Sequence, residues 1–449
     1  MNRLDLLRIL MWVIPLGLIY LLILVRRPTR RLLTATVLGL VWNLWAVLAV
    51  NLLAVDWGLW NFSSELPGFM GMPVELWAGW VLLWGAVAPL VALRLPLVLT
   101  LIGFLWLDLI VMPSLDSFVV LSGFWTVGEL MALVIAFLPG LLIFRWTLAG
   151  TNLRGRASLQ VICAGGILLW LVPSIAFEVN GGWGQVLHLP FWRLTLAAQL
   201  VLLAGVLGVR AVMEFVDRGN GTPLPYDPPH RLVSSGPYSY VRNPMQLSMV
   251  LVFAVAAITL WNPLLLGAAA VAAIYGAGLA EWHENLELEE RLGSSWTSYR
   301  ARVRPWGPTL RPTLSGEATL LVAFSCQTCS SVGRWFVARH PIGLKIAPAE
   351  DSVDPGLRRV TYLPAEGRPS RGVAAIARSL EHIHIGWAIA GWVLAMPLVS
   401  HFAQLVVDVF GPMPQRVAGL PYEQSTCAMN RLPSEGDPEA LRSVGTGAR

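Results

Sequence analysis

Hydrophobic positions along this chain come in long runs separated by short polar stretches. Nine runs approach or exceed the roughly 18 residues that mark a membrane-spanning candidate. They are Ile9–Val25, Leu32–Val55, Val74–Leu93, Leu95–Met112, Val127–Phe144, Leu159–Phe177, Leu194–Met213, Met245–Leu260 and Leu264–Leu279. The last two are short and meet at Asn262-Pro263, which predicts a tight hairpin. The first run carries no small-residue cleavage site and precedes further spans, so it reads as an anchor. After Pro312 the hydrophobicity falls. Thr319 to His340 predicts a strand, a Cys-x-x-Cys turn and an amphipathic helix, followed by strands at Leu344–Ala347 and around Val360–Leu363 and a helix at Val373–His382. Trp387–Phe410 is apolar again. It contains Pro397, His401, Gln404 and Asp408, which favours a buried or membrane-lying helix over a tenth span. The Pro-, Gly-, Ser- and Arg-rich stretch Pro412–Arg449 reads as disordered. The expected fold class is an all-α polytopic membrane bundle of about nine transmembrane helices with a small C-terminal α/β domain. The expected domains are 1–192, 193–312, 313–411 and 412–449.

Composition agrees with the runs. Of 449 residues, 55% are hydrophobic and 13% charged, about half the roughly 25% charged of soluble proteins. Arginine sits in alternate loops. Arg26, Arg27, Arg30 and Arg31 follow the first span, Arg94 the third, and Arg145, Arg154 and Arg156 the fifth. Arg210, Arg218, Arg231 and Arg242 follow the seventh, and Arg291, Arg300, Arg302 and Arg304 the ninth. Loops 56–73, 113–126 and 262–263 hold no Lys or Arg. The positive-inside rule then puts the odd loops and the C-terminal domain in the cytoplasm and the N-terminus outside a cell's inner or plasma membrane; Arg3 and Arg8 run against it. The net charge of +5 is explained by arginines facing anionic lipid. Basic runs interleaved with aromatics are absent, which argues against nucleic acid. No feature sets an oligomeric state.

Within the first 190 residues the polar positions inside spans are Asn43, Asn51, Asp108 and Glu129. Ionisable groups at membrane depth are costly. Asp108 and Glu129 either lie near span ends or line an acceptor cavity. Trp57, Trp60, Trp77, Trp80 and Trp84 fit an interfacial belt.

The most distinctive stretch is Arg218 to Pro312. It contains Gly219–Met245 (GNGTPLPYDPPHRLVSSGPYSYVRNPM), Glu284–Tyr299 (ENLELEERLGSSWTSY) and Arg304-Pro305-Trp306. Gly236-Pro237 is a turn signal, and Pro244 disfavours helix at Asn243. These motifs resemble the isoprenylcysteine carboxyl methyltransferase family, whose superfamily includes the phospholipid N-methyltransferases. The chain departs from the common pattern at Asn243, where many members have His, and at Gln246, where many have Tyr. The resemblance implies an integral-membrane enzyme that uses S-adenosylmethionine, without a Rossmann domain, on a lipophilic acceptor in the bilayer. It implies a cofactor-binding set of Leu232, Val233, Gly236, Pro237, Tyr238, Arg242, Asn243, Pro244, Met245, Glu281, Glu284 and Tyr299, with Arg242 and Glu284 catalytic.

The residue types suit that chemistry. Methyl transfer needs the cofactor and acceptor held in line and shielded from water. Arg242 can grip a carboxylate with both arms of its fork, and Glu284 can accept from an amino group or ribose. Outside this motif, Arg242 would read as a headgroup anchor, and Glu287, Glu289 and Glu290 read as a solvated helix face. His230 and His283 have no second ligand at metal spacing.

The C-terminal pattern resembles the thioredoxin-like family named for its DxxCxxC motif, including Ala347–Glu350; Phe324-Ser325 stand where that family has Asp. Cys326 at a helix N-terminus would favour the thiolate, so Cys326 and Cys329 are the candidate redox pair. Two alternatives to the methyltransferase therefore stand: a membrane-anchored thiol–disulfide protein, and a non-catalytic lipid-binding scaffold, which Gln246 favours.

Overall fold

The computed structural model describes residues 3–26, 28–63, 68–179, 181–223, 227–314, 316–352 and 357–411, with side chains except at residues 3, 4, 26, 185 and 279–286. The stretch 412–449 lies outside the described residues. Of the described residues, 69% are helical. Among the described residues, seven helices are long and apolar enough to cross a membrane. They are α1 (Asp5–Val25), α2 (Arg30–Asp56), α3 (Val74–Val91), α4 (Leu97–Ser114), α5 (Trp125–Ala149), α6 (Leu153–Glu178) and α7 (Phe191–Gly219). The two further runs expected as spans form shorter helices, α8 (Pro244–Leu260) and α9 (Pro263–Tyr275). At about 1.5 Å per residue the apolar stretches Pro244–Leu260 and Pro263–Gly278 reach roughly 26 and 24 Å, short of a hydrocarbon core of about 30 Å. The break falls at Trp261, in left-handed backbone at φ 57°, with Asn262 Oδ1 accepting from Leu264 and Leu265 N–H to start α9. The hairpin is therefore present, and the span count is lower than the hydropathy runs suggest.

Four of the long helices widen into a π turn, at Leu83–Val87, Leu133–Phe137, Gly166–Leu171 and Phe215–Gly219. The first three are followed within two residues by a proline: Pro89, Pro139 and Pro173. A proline ring lacks the N–H and crowds the carbonyl one turn earlier, and an extra residue in that turn relieves both.

The chain forms two compact units. The first comprises Met1–Leu200, Asn220–His230 and Val252–Ala270. Its core is built on α2, with Trp42, Leu48, Trp84, Phe137 and Leu141 buried together. Arg31 Nε donates to Thr147 O at 3.0 Å, and Arg145 donates to Leu95 O at 2.7 Å. The connector after α1, the connector after α3 and the end of α5 thus meet. The connectors after α2 and α4 meet each other instead, as strands β1 (Trp60–Phe62) and β4 (Val119–Leu121) pair antiparallel; β2 (Gly68–Phe69) and β3 (Met72–Pro73) make a small hairpin between them in sequence. Within this unit the first and third connectors and the end of α5 thus gather apart from the second and fourth connectors. Asp108 and Glu129 are 0% and 4% exposed and face each other beside Trp84. They lie near their helix ends in sequence, yet protein shields them from either interface.

The second unit comprises Val201–Gly219, Arg231–Leu251 and Val271–Arg449. It holds α10 (Glu281–Leu292), α11 (Ser294–Arg302) and a small α/β region. There β5 (Ala318–Val322) runs parallel to β6 (Leu344–Pro348) and antiparallel to β7 (Thr361–Leu363), and β7 pairs with β8 (Ser370–Arg371). The order is β6-β5-β7-β8. Helices α12 (Gln327–Val337) and α13 (Val373–Leu380) carry Phe336, Ala375 and Leu380 into a core with Leu320 and Val322. The described residues close with α14 (Ile385–Leu394) and α15 (Pro397–Phe410), bent by 84° at their junction.

Candidate functional site

The loop from Ser235 to Asn243 is fixed by its own backbone and by two distant segments. Gly236 sits at φ 59°, and a Cβ there would meet Glu214 side-chain carbons at 3.2 Å; both facts require glycine. A 3-10 turn follows, in which Tyr238 N–H donates to Ser235 O and the N–H groups of Tyr240 and Val241 donate to Pro237 O. Arg242 N–H donates to Arg304 O at 2.8 Å and Asn243 N–H to Pro305 O at 3.3 Å. Pro244 then opens α8, where a missing N–H costs nothing. On the far side Tyr299 Oη donates to Tyr238 O at 2.8 Å. Thr309 and Thr313 N–H donate to Tyr240 O and Ser239 O. The Arg304-Pro305-Trp306 motif and the Glu284–Tyr299 motif therefore both close on the loop. All lie in the second unit.

The other expected site residues divide by environment. Leu232 packs with Trp296, Tyr299, Leu288 and Leu292, and Val233, Tyr238 and Met245 pack with Ala211 and Phe215. These side chains form the loop's own core. Burial pushes the Tyr299 phenol up, with neighbouring Arg242 pulling it down. Arg242 and Asn243 are 8% and 6% exposed, so a guanidinium is held almost out of water at the start of α8. Gln246 meets Gly276 and Trp306: a Cβ at Gly276 would lie 2.7 Å from the Trp306 ring and 3.3 Å from Gln246 Cβ. Glu281 and Glu284 fall on α10, but their side chains lie outside those described. On the same helix Glu287 pairs with Arg291 at 3.5 Å, and Glu289 with Arg300 at 4.0 Å, both partly exposed.

With five N–H groups from Tyr238 to Asn243 already bonded, the loop backbone offers a ligand few donors. Arg242 supplies a buried cation beside it.

The pattern of residues alone misses the buried charges beneath the loop. Glu214, fully buried on α7, accepts from Ser235 Oγ at 2.5 Å and pairs with Arg378 of α13 and with Arg218 at 3.5 Å. Arg378 also grips Glu381 at 3.1 Å, and Arg210 lies 3.7 Å from Glu381. Tyr240 Oη donates to Glu381 O at 2.9 Å. Beside them His382 Nδ1–H donates to Ile342 O and Nε2 accepts from Tyr362 Oη; burial pulls its pKa down to about 4. A charge late in an apolar run marks Glu214 in the sequence. Arg378 and Glu381 look like any pair on an amphipathic helix.

The geometry can be set beside known proteins. Residues 192–293 match the phospholipid methyltransferase family. No curated protein and no solved structure matches the chain. The methyltransferase-like segment starts at the head of α7 and ends at Gly293, between α10 and α11. It takes in the Ser235–Asn243 loop, Arg242 and Glu214. It leaves out Tyr299, Arg304-Pro305-Trp306 and the whole α/β region, which reach the loop from outside the matched residues.

In the α/β region Cys326 caps α12 and Cys329 lies in its first turn. Hydrogen bonding from the Cys329 backbone holds the Cys326 thiol below its usual range. Burial pushes the Cys329 thiol up to about 11. The N–H groups of Phe324 and Ser325 bond Glu350 at 3.2 and 2.9 Å. Those bonds outweigh the burial that would raise the Glu350 carboxyl, and its pKa lies below the usual range. Cys163 is buried in α6, and Cys427 lies outside the described residues.

Proposed function

We propose that the chain is an S-adenosylmethionine-dependent methyltransferase embedded in a cell membrane, acting at the cytoplasmic face on a lipophilic carboxylate or amine. The single observation that carries this is the closure of Gly236–Asn243, which lies in the segment similar to phospholipid methyltransferases, against Tyr299 and Arg304-Pro305, which follow that segment. The residues present fit the cofactor. Arg242 is a buried fork suited to its carboxylate, and the glycine at 236 keeps the loop in contact with Glu214. Bound there, the cofactor would supply an electrophilic methyl on a sulfonium. Arg242 would hold its amino-acid end, and Glu284 on α10 would take its amino group or ribose. A carboxylate acceptor needs no base at neutral pH, whereas an amine must first lose a proton. Water exclusion comes from the bilayer and from the packing of Leu232, Trp296 and Tyr299. The cytoplasmic assignment rests on the alternation of arginine along the sequence, with Arg210, Arg218, Arg231 and Arg242 following the seventh span.

A direct test supplies methyl-labelled S-adenosylmethionine to membranes containing the protein and counts label in lipid-extractable material. Incorporation above membranes carrying Arg242→Ala supports the reading, and equal incorporation contradicts it.

A second reading is thiol–disulfide exchange by a domain resembling thioredoxin. It rests on the placement of Cys326 at the N-cap of α12 with Cys329 in its first turn, which suits one attacking and one resolving sulfur.

A further inference from the structure

Helix α15 has its polarity reversed. Two of its polar residues turn towards the α/β region: Gln404 Oε1 accepts from Val373 N–H at 2.9 Å, Gln404 Nε2 donates to Asp408 at 2.8 Å, and Arg359 donates to Asp408 at 2.7 Å. Leu398, Phe402, Leu405 and Val409 turn outwards and are 63% to 87% exposed. At 100° per residue these four fall within about 60° of one another, with Gln404 about 130° round the helix from their centre. No residue of α15 is buried. A helix packed on a water-soluble domain would show the opposite pattern, since apolar side chains gain from burial and polar ones lose.

The neighbouring helix says what covers this face. Ile385, Ala388, Ile389 and Trp392 of α14 pack with Tyr240 and with Val206 and Leu207, which lie within the membrane-spanning helix α7. Helix α14 therefore runs against a span, and α15 leaves it at 84°. Ten residues cover only about 15 Å, so α14 reaches part of the bilayer and the bend turns α15 across its plane. We propose that α15 lies in the bilayer interface with its Leu398–Phe402–Leu405–Val409 stripe in lipid, holding the Cys326/Cys329 region on the membrane surface through Gln404 and Asp408. The occupant is the acyl–headgroup boundary, as for other in-plane helices. This inference is independent of the methyltransferase reading.

The experiment is site-directed spin labelling of the full chain in lipid nanodiscs, with the four native cysteines replaced by serine. Single cysteines are placed at Phe402, Leu405, the inward-facing Ser400 and, as an aqueous control, Glu366. Collision with oxygen, which concentrates in lipid, is compared with collision with a water-soluble nickel chelate. The expected result is an excess of oxygen collisions at 402 and 405 and an excess of nickel collisions at 366. Nickel collisions at 402 and 405 equal to those at 366 would overturn the proposal. Protection from both reagents with dipolar broadening between labels would also overturn it, since a second copy would then cover the stripe. Native-like melting of each labelled chain shows that the outcome belongs to the folded protein.

Discussion

Arg378→Met tests how the α/β region supports the loop. Arg378 bridges Glu214, which holds Ser235, and Glu381, whose carbonyl holds Tyr240. Methionine keeps the stem's apolar contacts and removes the charge, leaving two buried carboxylates. Breaking a buried pair costs about 3–5 kcal/mol, because one charge is stranded. Arg218 and Arg210 remain at 3.5 and 3.7 Å, so the lower end, about 3 kcal/mol, is expected. For a unit of roughly 200 residues that lowers the melting midpoint by about 6–12 °C. Arg378→Lys keeps the charge but cannot reach both acids with one planar fork, and falls between. Adding Glu214→Gln to Arg378→Met removes the stranded charge, so the double variant recovers at least about 1 kcal/mol against additivity. The assay is thermal unfolding in detergent, with hydrogen exchange at 235–243 reporting the loop. A midpoint within about 1 °C of wild type, or strict additivity in the double variant, would refute the linkage.

Tyr299→Phe leaves the buried Tyr238 carbonyl without its donor and is expected to cost about 1–3 kcal/mol, read as a lower melting midpoint and faster exchange in the 236–241 turn. Gly236→Ala meets both a positive φ and the Glu214 side chain, so about 1–3 kcal/mol is lost and the same assay reads it. The folded-state pKa of His382, about 4, lies below the unfolded value of about 6.5. Its contribution is complete above pH 6.5 and is lost as pH falls to about 4, on the order of 3 kcal/mol; the stability difference between wild type and His382→Gln should show that slope and flatten below pH 4. Iodoacetamide should alkylate Cys326 with an inflection below the ordinary value of about 8.5, while Cys329 stays unreactive at neutral pH; equal rates at both thiols would contradict the opposed shifts.

Much of this arrangement was legible in the sequence because it rests on local signals. Long apolar runs mark α1 to α7, Asn262-Pro263 marks the hairpin, and Gly236-Pro237 and Pro244 mark the loop. The β5–Cys-x-x-Cys–α12 succession was legible for the same reason. The span count was not, since runs of apolar residues do not say where a helix breaks, as at Trp261. Nor was the Arg378–Glu214 pair, which joins residues 164 apart on two helices whose patterns look ordinary. Asp108 and Glu129 were visible as costly, but only their packing against each other places them inside the bundle.

The central claim, a cofactor pocket at Arg242, is tested most directly by equilibrium binding of S-adenosylmethionine to detergent-purified protein. Wild type should bind. Arg242→Ala should lose about 1.5–3 kcal/mol, roughly 10- to 150-fold in affinity, and Arg242→Lys should recover part of it. Glu284→Gln should also weaken binding, while Glu289→Gln, on the partly exposed face beside Arg300, should leave it unchanged. Equal affinity in wild type, Arg242→Ala and Glu284→Gln, with folding intact, would place the pocket elsewhere; no binding by wild type would contradict the methyltransferase account itself.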